Sequence, residues 1–218
     1  MSEALQVREQ HRTTASAWGG GESPFAVPWA KLMMWLFLLS DAFTFAALLT
    51  GYAAMRITAG VWPGAGMKAA DFFHVTTVVG PMTFILICSS ATMAVAVGAA
   101  RRGDHRTTVR FLALTVLGGL AFLGMQAYEW TGFIREGARL TGFVGELGGK
   151  IQPMFPATFF VITGFHGGHV TSGVIYLLVK TIQASRGRAS AESVEITGLY
   201  WHFVDLVWVF IFTLLYLI

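Results

Sequence analysis

Residues 163–173 read TGFHGGHVTSG and lie at the centre of an apolar run, residues 155–179, that decides the fold of the chain. About 20 apolar residues are enough to cross a bilayer core as a helix, and this run is longer. It nevertheless carries two imidazoles, His166 and His169, near its middle. Polar groups at hydrocarbon depth are costly unless they meet other polar groups. The stretch therefore predicts a membrane-spanning helix whose polar partners come from the rest of the chain.

The two sides of this helix differ when it is wound at about 100° per residue. Gly164, Gly168 and Ser172 share one smooth side, while both histidines and Gly173 cluster on another. Small residues four apart let helices approach closely in lipid, so the smooth side is the predicted helix-packing face. The ordinary interpretation of the histidines is of core side chains bonded to backbone or to carboxylates. A metal site is the alternative.

The composition indicates an integral membrane protein. The 218-residue chain is 55% apolar and 12% charged, whereas an ordinary soluble domain is about 25% charged. The formal charge of +3 comes from the connecting segments, so it indicates topology and not nucleic-acid binding. The single Cys88 lies in an apolar run, which excludes an internal disulfide and predicts a small buried side chain.

Hydropathy divides the chain into a polar, flexible N-terminal tail, residues 1–29, and a transmembrane domain, residues 30–218. The predicted spans cover approximately residues 32–55, 75–100, 111–130, 155–179 and 196–218. The glycine-rich segment between the third and fourth spans is expected to be irregular. The predicted fold class is thus all-α, an integral membrane bundle of five transmembrane helices.

Basic residues predict the orientation of this bundle. Ten Lys and Arg lie at the N-terminal end up to Lys31 and in the second and fourth loops, against five in the first and third loops. Because cytoplasmic segments carry the excess of Lys and Arg, the N-terminus is expected in the cytoplasm and the C-terminus outside.

A small set of ionisable side chains lies in the predicted spans. Three of them, Glu195, His202 and Asp205, follow one stripe of the last helix, where His202 and Asp205 are natural partners for each other or for the imidazoles of the fourth helix. The full predicted buried polar network is Asp41, Glu129, His166, His169, Glu195, His202 and Asp205. The candidates for lipid or interface contact are Trp62, Trp130, Trp201 and Trp208, although a helical tryptophan more often packs in a core.

Three functions are compatible with such a network. A metal-dependent membrane enzyme would use imidazoles and carboxylates as ligands, yet the chain has no HExxH and no paired Glu-x-x-His. A proton or substrate carrier would show internal repeats with broken helices, and none is visible. An accessory subunit, whose polar stripes satisfy one another, explains why motifs for chemistry are missing. No catalytic and no metal-ligating residue is assigned.

Four segments in order resemble subunit III of the haem-copper terminal oxidases. They read FLLSD at residues 37–41, QAYEW at 126–130, TGFHGGHVTSGVIYL at 163–177 and YWHFVDLVWVFIF at 200–212. The resemblance extends from Lys31 to the C-terminus, which leaves out only the tail.

The resemblance implies a non-catalytic subunit without haem or metal of its own. It would sit in the bacterial inner membrane beside oxidase subunit I, the haem-copper catalytic subunit, with subunit II and other membrane subunits as further partners. Oxygen reduction and proton pumping would occur in the partner subunits, which hold haem and copper. This chain would stabilise the catalytic subunit, hold phospholipid and support proton uptake.

Departures from the family pattern bear on two of these implications. Long forms of the family have seven helices, and the first two form one wall of a lipid-filled cleft. Five spans would not close this cleft unless another subunit supplies the wall. Ser40 and Asp41 are similar to the quinol-oxidase branch, whereas QAYEW and WHFVD are equally similar to the cytochrome c oxidase branch. The electron donor therefore stays open. Accessory proteins of nitric oxide reductases share the fold and are the alternative.

Overall fold

The structure of the chain is a computed structural model that describes residues 27–59, 62–63, 75–144 and 152–217. Most of the predicted N-terminal tail, residues 1–26, lies outside the described residues. The chain divides into two compact units, Met1–Phe37 and Leu38–Ile218. The described part of the first unit is the start of a helix with large exposed apolar side chains, including Trp35 and Leu36. The second unit contains the remaining elements.

Five long helices account for most of the described chain. They are α1 (Trp29–Ala59), α2 (Gly80–Arg101), α3 (His105–Arg135), α4 (Met154–Ser185) and α5 (Ala191–Ile211). Single π-helical segments precede α2 and follow α5, at Val75–Val79 and Phe212–Leu217. After α3, the short strands β1 (Ala138–Arg139) and β2 (Gly142–Phe143) pair antiparallel.

Four helical segments within the described ranges are long and apolar enough to cross a membrane. They are Trp29–Ala59, Thr77–Arg101, His105–Arg135 and Ala191–Leu217. Helix α4 is equally long, at 32 residues, but its glycines, hydroxyls and two histidines lower its hydropathy. The all-α membrane-bundle class is therefore confirmed, and the count of five spans stays a prediction.

The helices extend beyond the predicted spans. Helix α3 begins at His105, so Arg106 and Arg110 belong to its first turns and not to a loop. Long basic side chains can keep their charge in the interface while the backbone stays helical, which hydropathy does not register. Asp104 begins the helix because its Oδ1 accepts a hydrogen bond from the Thr107 amide at 3.1 Å.

The segment after α3 is more regular than predicted. Helix α3 continues to Arg135, and the β1–β2 ribbon follows. Gly137 has φ of 100°, and a Cβ there would lie 2.2 Å from the carbonyl oxygen of Val144. Only glycine fits this close approach, so the ribbon depends on Gly137. The glycines of this segment predict irregular structure, but one of them is what allows the two strands to pair. Residues 145–151 lie outside the described residues.

Helices α2 to α5 pack in a ring, α2 on α3, α3 on α4, α4 on α5 and α5 on α2. Two fully buried tryptophans of α5, Trp201 and Trp208, fill its interior. Backbones approach closely beside them, since a Cβ on Gly119 would lie 2.6 Å from both Trp201 and Val174. Gly198 likewise faces Val97 across the contact of α5 with α2, at 3.0 Å. Small residues thus bring these helices together.

The smooth side of α4 is used only in part by the described chain. Gly164 faces the Trp130 ring, 3.1 Å from where its Cβ would be, but no described atom lies within 4 Å of that position on Gly168. Ser172 is exposed and bonds the Tyr200 hydroxyl at 2.7 Å. Periodicity identifies small residues, but not the helix they face. The helix-packing face formed by Gly164, Gly168 and Ser172 therefore stays a prediction.

The prediction that Cys88 is a small buried side chain is wrong, because the residue is exposed. An apolar run in a membrane bundle contains positions that face lipid as well as positions that face the core. Hydropathy alone does not separate the two.

Candidate functional site: polar side chains between the helices

Asp41 of α1 and His169 of α4 form a pair across two helices. The Oδ1 of Asp41 lies 3.2 Å from Nε2 of His169, and both side chains are largely buried. The other ring nitrogen, Nδ1, lies 2.8 Å from the carbonyl oxygen of Phe165. A carbonyl oxygen only accepts hydrogen bonds, so Nδ1 carries a proton.

The second proton of this pair lies between Asp41 and His169. Because Nδ1 is already protonated, Nε2 either donates as part of an imidazolium or accepts from a protonated carboxyl group. The pair has no net charge in either form. It is therefore a low-cost way to place a carboxylate and an imidazole at hydrocarbon depth.

His166 lies one turn earlier on α4 in different surroundings. It is fully buried, with ring centroids of Phe45, Phe122 and Trp208 at 6.2, 5.9 and 5.2 Å. Neither ring nitrogen has a hydrogen-bond partner among the described residues. Its enclosure is aromatic, and it does not share the Asp41 carboxylate with its neighbour.

Glu129 of α3 meets the end of the chain. Its Oε2 accepts a hydrogen bond from the Tyr216 hydroxyl at 2.9 Å. One turn earlier, the Gln126 amide donates to the carbonyl oxygen of Thr163 at 2.8 Å. Both α3 side chains are buried. Glu129 thus holds the π-helical segment after α5 against α3.

Glu195 and Arg101 form an ion pair at the end of α2, with Oε2 and a guanidinium nitrogen 2.9 Å apart. The Arg101 side chain is largely exposed and that of Glu195 is mostly buried. The pair joins the last residue of α2 to the first turns of α5. Because the Arg101 side chain is largely exposed, solvent screens the attraction, and such a pair contributes little to stability, about 0–1 kcal/mol.

His202 of α5 meets Ser90 of α2. The Ser90 Oγ lies 2.6 Å from Nδ1 of His202. Asp205 follows one turn later on α5, and its buried Oδ1 has no hydrogen-bond partner among the described residues. The partner of His202 is therefore a serine on α2, not an imidazole of α4.

The candidate interface tryptophans divide into two groups. Trp201 and Trp208 are core residues, at 1% and 0% exposure, and donate to Ser89 Oγ at 3.1 Å and Thr83 Oγ1 at 3.0 Å. The prediction of lipid or interface contact is wrong for both, because their N–H groups find hydroxyls on α2.

The other two candidates are partly exposed. Trp62 donates to the Tyr52 hydroxyl at 3.3 Å, and Trp130 donates to Thr163 Oγ1 at 3.2 Å. For Trp62 and Trp130, an interface role stays a prediction.

The network is thus distributed over several helix contacts. Within the described ranges, no three His, Cys, Asp or Glu side chains come together as ligands for a metal ion. Ser90, Gln126 and Tyr216 were missed as site residues, although each bonds a group that was predicted or lies beside one. All three side chains are uncharged, and the search for ionisable groups in the predicted spans therefore did not select them.

These features define a multi-pass, all-α membrane protein whose polar side chains join its helices to one another. The model of the cytochrome c oxidase subunit III family matches residues 13–218. The chain belongs to this family and is an accessory subunit of a haem-copper oxidase complex.

Curated relatives include members with different electron donors in their names. The probable quinol oxidase subunit 3 of Staphylococcus saprophyticus is 33% identical over 86% of this chain and 88% of its own length. Cytochrome c oxidase subunit 3 of Bacillus sp. strain PS3 is 33% identical over 85% and 84%. Quinol oxidase subunit 3 of Bacillus subtilis is 34% identical over 85% of both chains. Similarity to these relatives leaves the electron donor open.

Proposed function

We propose that this chain is the non-catalytic subunit III beside the haem-copper catalytic subunit of a bacterial respiratory oxidase. There it stabilises the catalytic subunit, holds phospholipid and supports proton uptake during oxygen reduction. The observation that carries the proposal is the distribution of the intramembrane polar groups. Asp41 engages His169, Glu129 engages Tyr216 and His202 engages Ser90, at three separate helix contacts. Polar groups that bond one another in separate pairs favour assembly over chemistry at a common centre.

The arrangement of the bundle supports five spans with the N-terminus in the cytoplasm and the C-terminus outside. Helix α4 is long enough to cross a bilayer, at about 1.5 Å per residue, and it packs between α3 and α5. Its His169 is paired with Asp41 inside the bundle, which lowers the cost of placing this imidazole in the membrane. A reporter fused after the last residue should be active outside the cell. Activity of that reporter in the cytoplasm would contradict the topology.

A cavity beside the β1–β2 ribbon supports the lipid-holding role. It has a volume of about 420 Å³ and is lined by Trp130, Ile134, Ala138, Arg139, Leu140 and Phe160. The apolar side chains suit an acyl chain, and the single guanidinium suits a phosphate at the membrane surface. Arg139→Ala should reduce the phospholipid that co-purifies with the complex, and Arg135→Ala on α3 is the matched control. Equal lipid content in both variants would contradict this site.

The function is tested on the oxidase purified with and without this chain. We expect an equal initial rate of oxygen reduction, with faster inactivation during turnover and slower proton uptake at high pH when the chain is missing. Unchanged turnover stability together with unchanged proton uptake would contradict the proposal. Stoichiometric metal in the isolated chain, lost in His166→Ala or His169→Ala, would instead favour a metal-dependent enzyme.

A further inference from the structure

The cavity beside the β1–β2 ribbon is enclosed by three elements of this chain, and we call it the ribbon cavity. Its lining comes from α3 (Trp130, Ile134), from α4 (Phe160) and from the ribbon and its turn (Ala138, Arg139, Leu140). The cavity therefore does not need the two helices that form a wall of the lipid cleft in long members of the family.

The ribbon cavity lies where the hydrocarbon core meets the headgroups. Helix α3 has its midpoint at Leu120, and Trp130 follows ten residues later, about 15 Å along the helix axis. That distance is about half the thickness of the hydrocarbon core, a level at which tryptophan is common in membrane proteins. Arg139 follows the end of α3 and is exposed. A lipid in the cavity can thus place a chain among apolar side chains while its head meets Arg139.

The lining offers one side chain for the recognition of a polar group. Four of the six lining residues have side chains without a polar atom. The indole N–H of Trp130 is already donated to Thr163 Oγ1 at 3.2 Å. Within the described part of the chain, the guanidinium of Arg139 is therefore the side-chain donor of the cavity that is left for a ligand.

The charge of Arg139 calls for an anion. The ion pairs within the described chain are Arg101–Glu195 and Asp41–His169, and neither involves Arg139. A guanidinium binds phosphate oxygens through two parallel N–H bonds. Every phospholipid carries this phosphate between its acyl chains and its headgroup, whatever the headgroup is. The shared phosphate therefore matches the one donor of the cavity.

We propose that the ribbon cavity binds phospholipid through its phosphate and one acyl chain, and does not distinguish one headgroup from another. This inference rests on the proposed function, because it states what the lipid-holding site recognises. The headgroup extends into water, since no described side chain of the lining is left to bond it. A neutral diacylglycerol has the chains but lacks the phosphate, so it should bind weakly.

Lipid exchange on the purified oxidase measures this selectivity. Detergent-washed complexes are titrated with phosphatidylglycerol, phosphatidylethanolamine or diacylglycerol of the same acyl chains, and native mass spectrometry counts the bound lipids. Ile134→Trp fills the cavity and so identifies the lipid that belongs to it, with Leu117→Trp at a 62% exposed position of α3 as the matched control. We expect equal affinity for the two phospholipids, within about twofold, and at least about fivefold weaker binding of diacylglycerol.

Arg139 variants test the recognition of the phosphate. Arg139→Gln should lower the affinity for both phospholipids to that for diacylglycerol, because it removes the positive charge. Arg135→Gln on α3 is the matched control and should change neither. A preference of more than about fivefold for one of the two phospholipids, equal binding of diacylglycerol, or unchanged binding in Arg139→Gln would overturn the proposal.

Failure of this inference is distinguishable from failure of the proposed function. If Ile134→Trp binds as much lipid as the wild type, the ribbon cavity is not a lipid site, and the inference fails while the chain can still stabilise the oxidase. If oxidase with and without the chain shows equal turnover stability and equal proton uptake, the proposed function fails, whatever the cavity binds.

Discussion

His166 and His169 lie three residues apart on α4, yet the bundle treats them in opposite ways. His169 has a carboxylate on one ring nitrogen and a backbone carbonyl on the other. His166 is enclosed by Phe45, Phe122 and Trp208, and neither of its nitrogens is bonded within the described chain. The HxxH spacing therefore does not create a joint site. Both rings contact Phe45, but only the nitrogens of His169 have polar partners among the described residues.

The comparison shows how a membrane bundle accommodates imidazoles. One solution supplies hydrogen-bond partners, so that the group holds two helices together. In the other, seen at His166, the imidazole packs among aromatic rings as a core side chain. Its two ring nitrogens then have no hydrogen-bond partner among the described residues, which costs free energy. The two solutions predict different effects of substitution, and these effects can be ranked.

The largest effect is expected for Trp208→Ala, which removes one wall around His166. Trp208 is fully buried against Phe122, at 4.7 Å between ring centroids, and donates to Thr83. Loss of a buried aromatic ring should cost about 3–5 kcal/mol of unfolding free energy. Unfolding of the detergent-solubilised chain by a denaturing detergent measures it. Trp208→Phe keeps a ring and should lose less, and a cost as small for Ala as for Phe would contradict an enclosed core.

Breaking the other histidine's pair should have an intermediate effect. His169→Leu and Asp41→Leu should each destabilise the bundle by about 1–2 kcal/mol, because each leaves a polar group without its partner. The double variant should lose less than the sum of the two. Additive losses in this double-mutant cycle would mean that the 3.2 Å contact is not energetically coupled.

His166→Leu should have little effect or increase stability. The substitution removes two buried nitrogens that have no hydrogen-bond partner within the described chain. Leucine fills roughly the same space as the imidazole with apolar atoms. We expect a change within about 1 kcal/mol of the wild type, or a gain. The same unfolding assay applies, with His169→Leu as the matched variant. A loss larger than that of His169→Leu would show that His166 has a partner of its own.

The smallest effect concerns Asp104, which caps α3 outside the membrane core. The Thr107 side chain and its backbone amide hold the pKa of Asp104 below its ordinary value of 3.8. A carboxylate with a lowered pKa stabilises the fold above its unfolded pKa, and this contribution is lost as the pH falls through the lower, folded value. Asp104→Ala should lower the unfolding temperature slightly at neutral pH, and this difference should disappear in acid.

Asp104→Asn is the control for the cap, since asparagine caps helices about as well as aspartate but does not titrate. It should retain most of the stability at neutral pH and show a weaker pH dependence. Equal unfolding temperatures for all three proteins at neutral pH would mean that the 3.1 Å hydrogen bond contributes nothing measurable.

Periodicity predicted more about each helix than about the contacts between helices. The sequence identified α4 as a helix, and it selected Glu129 of α3 as a buried polar residue, which it is. It could not show that Ser90 would bond His202, or that Tyr216 would bond Glu129. Such pairs depend on the relative rotation and shift of two helices, which no single helix encodes.

Glycines and tryptophans show the same limit. The sequence favoured Gly164 and Gly168 as packing positions, yet Gly119 and Gly198 make closer approaches. Trp201 and Trp208 were candidates for an interface, but hydroxyls of α2 make them core residues. In each case a residue on another helix decided the role.

The oxygen-reduction rate of whole complexes that carry either His166→Leu or His169→Leu tests the central claim most directly. If the imidazoles serve assembly, the initial rate per catalytic subunit should stay within about twofold of the wild type in both variants. His169→Leu should shorten the period of activity more than His166→Leu does. A fall in initial rate of more than about tenfold, with this chain at its normal proportion in the complex, would contradict the account.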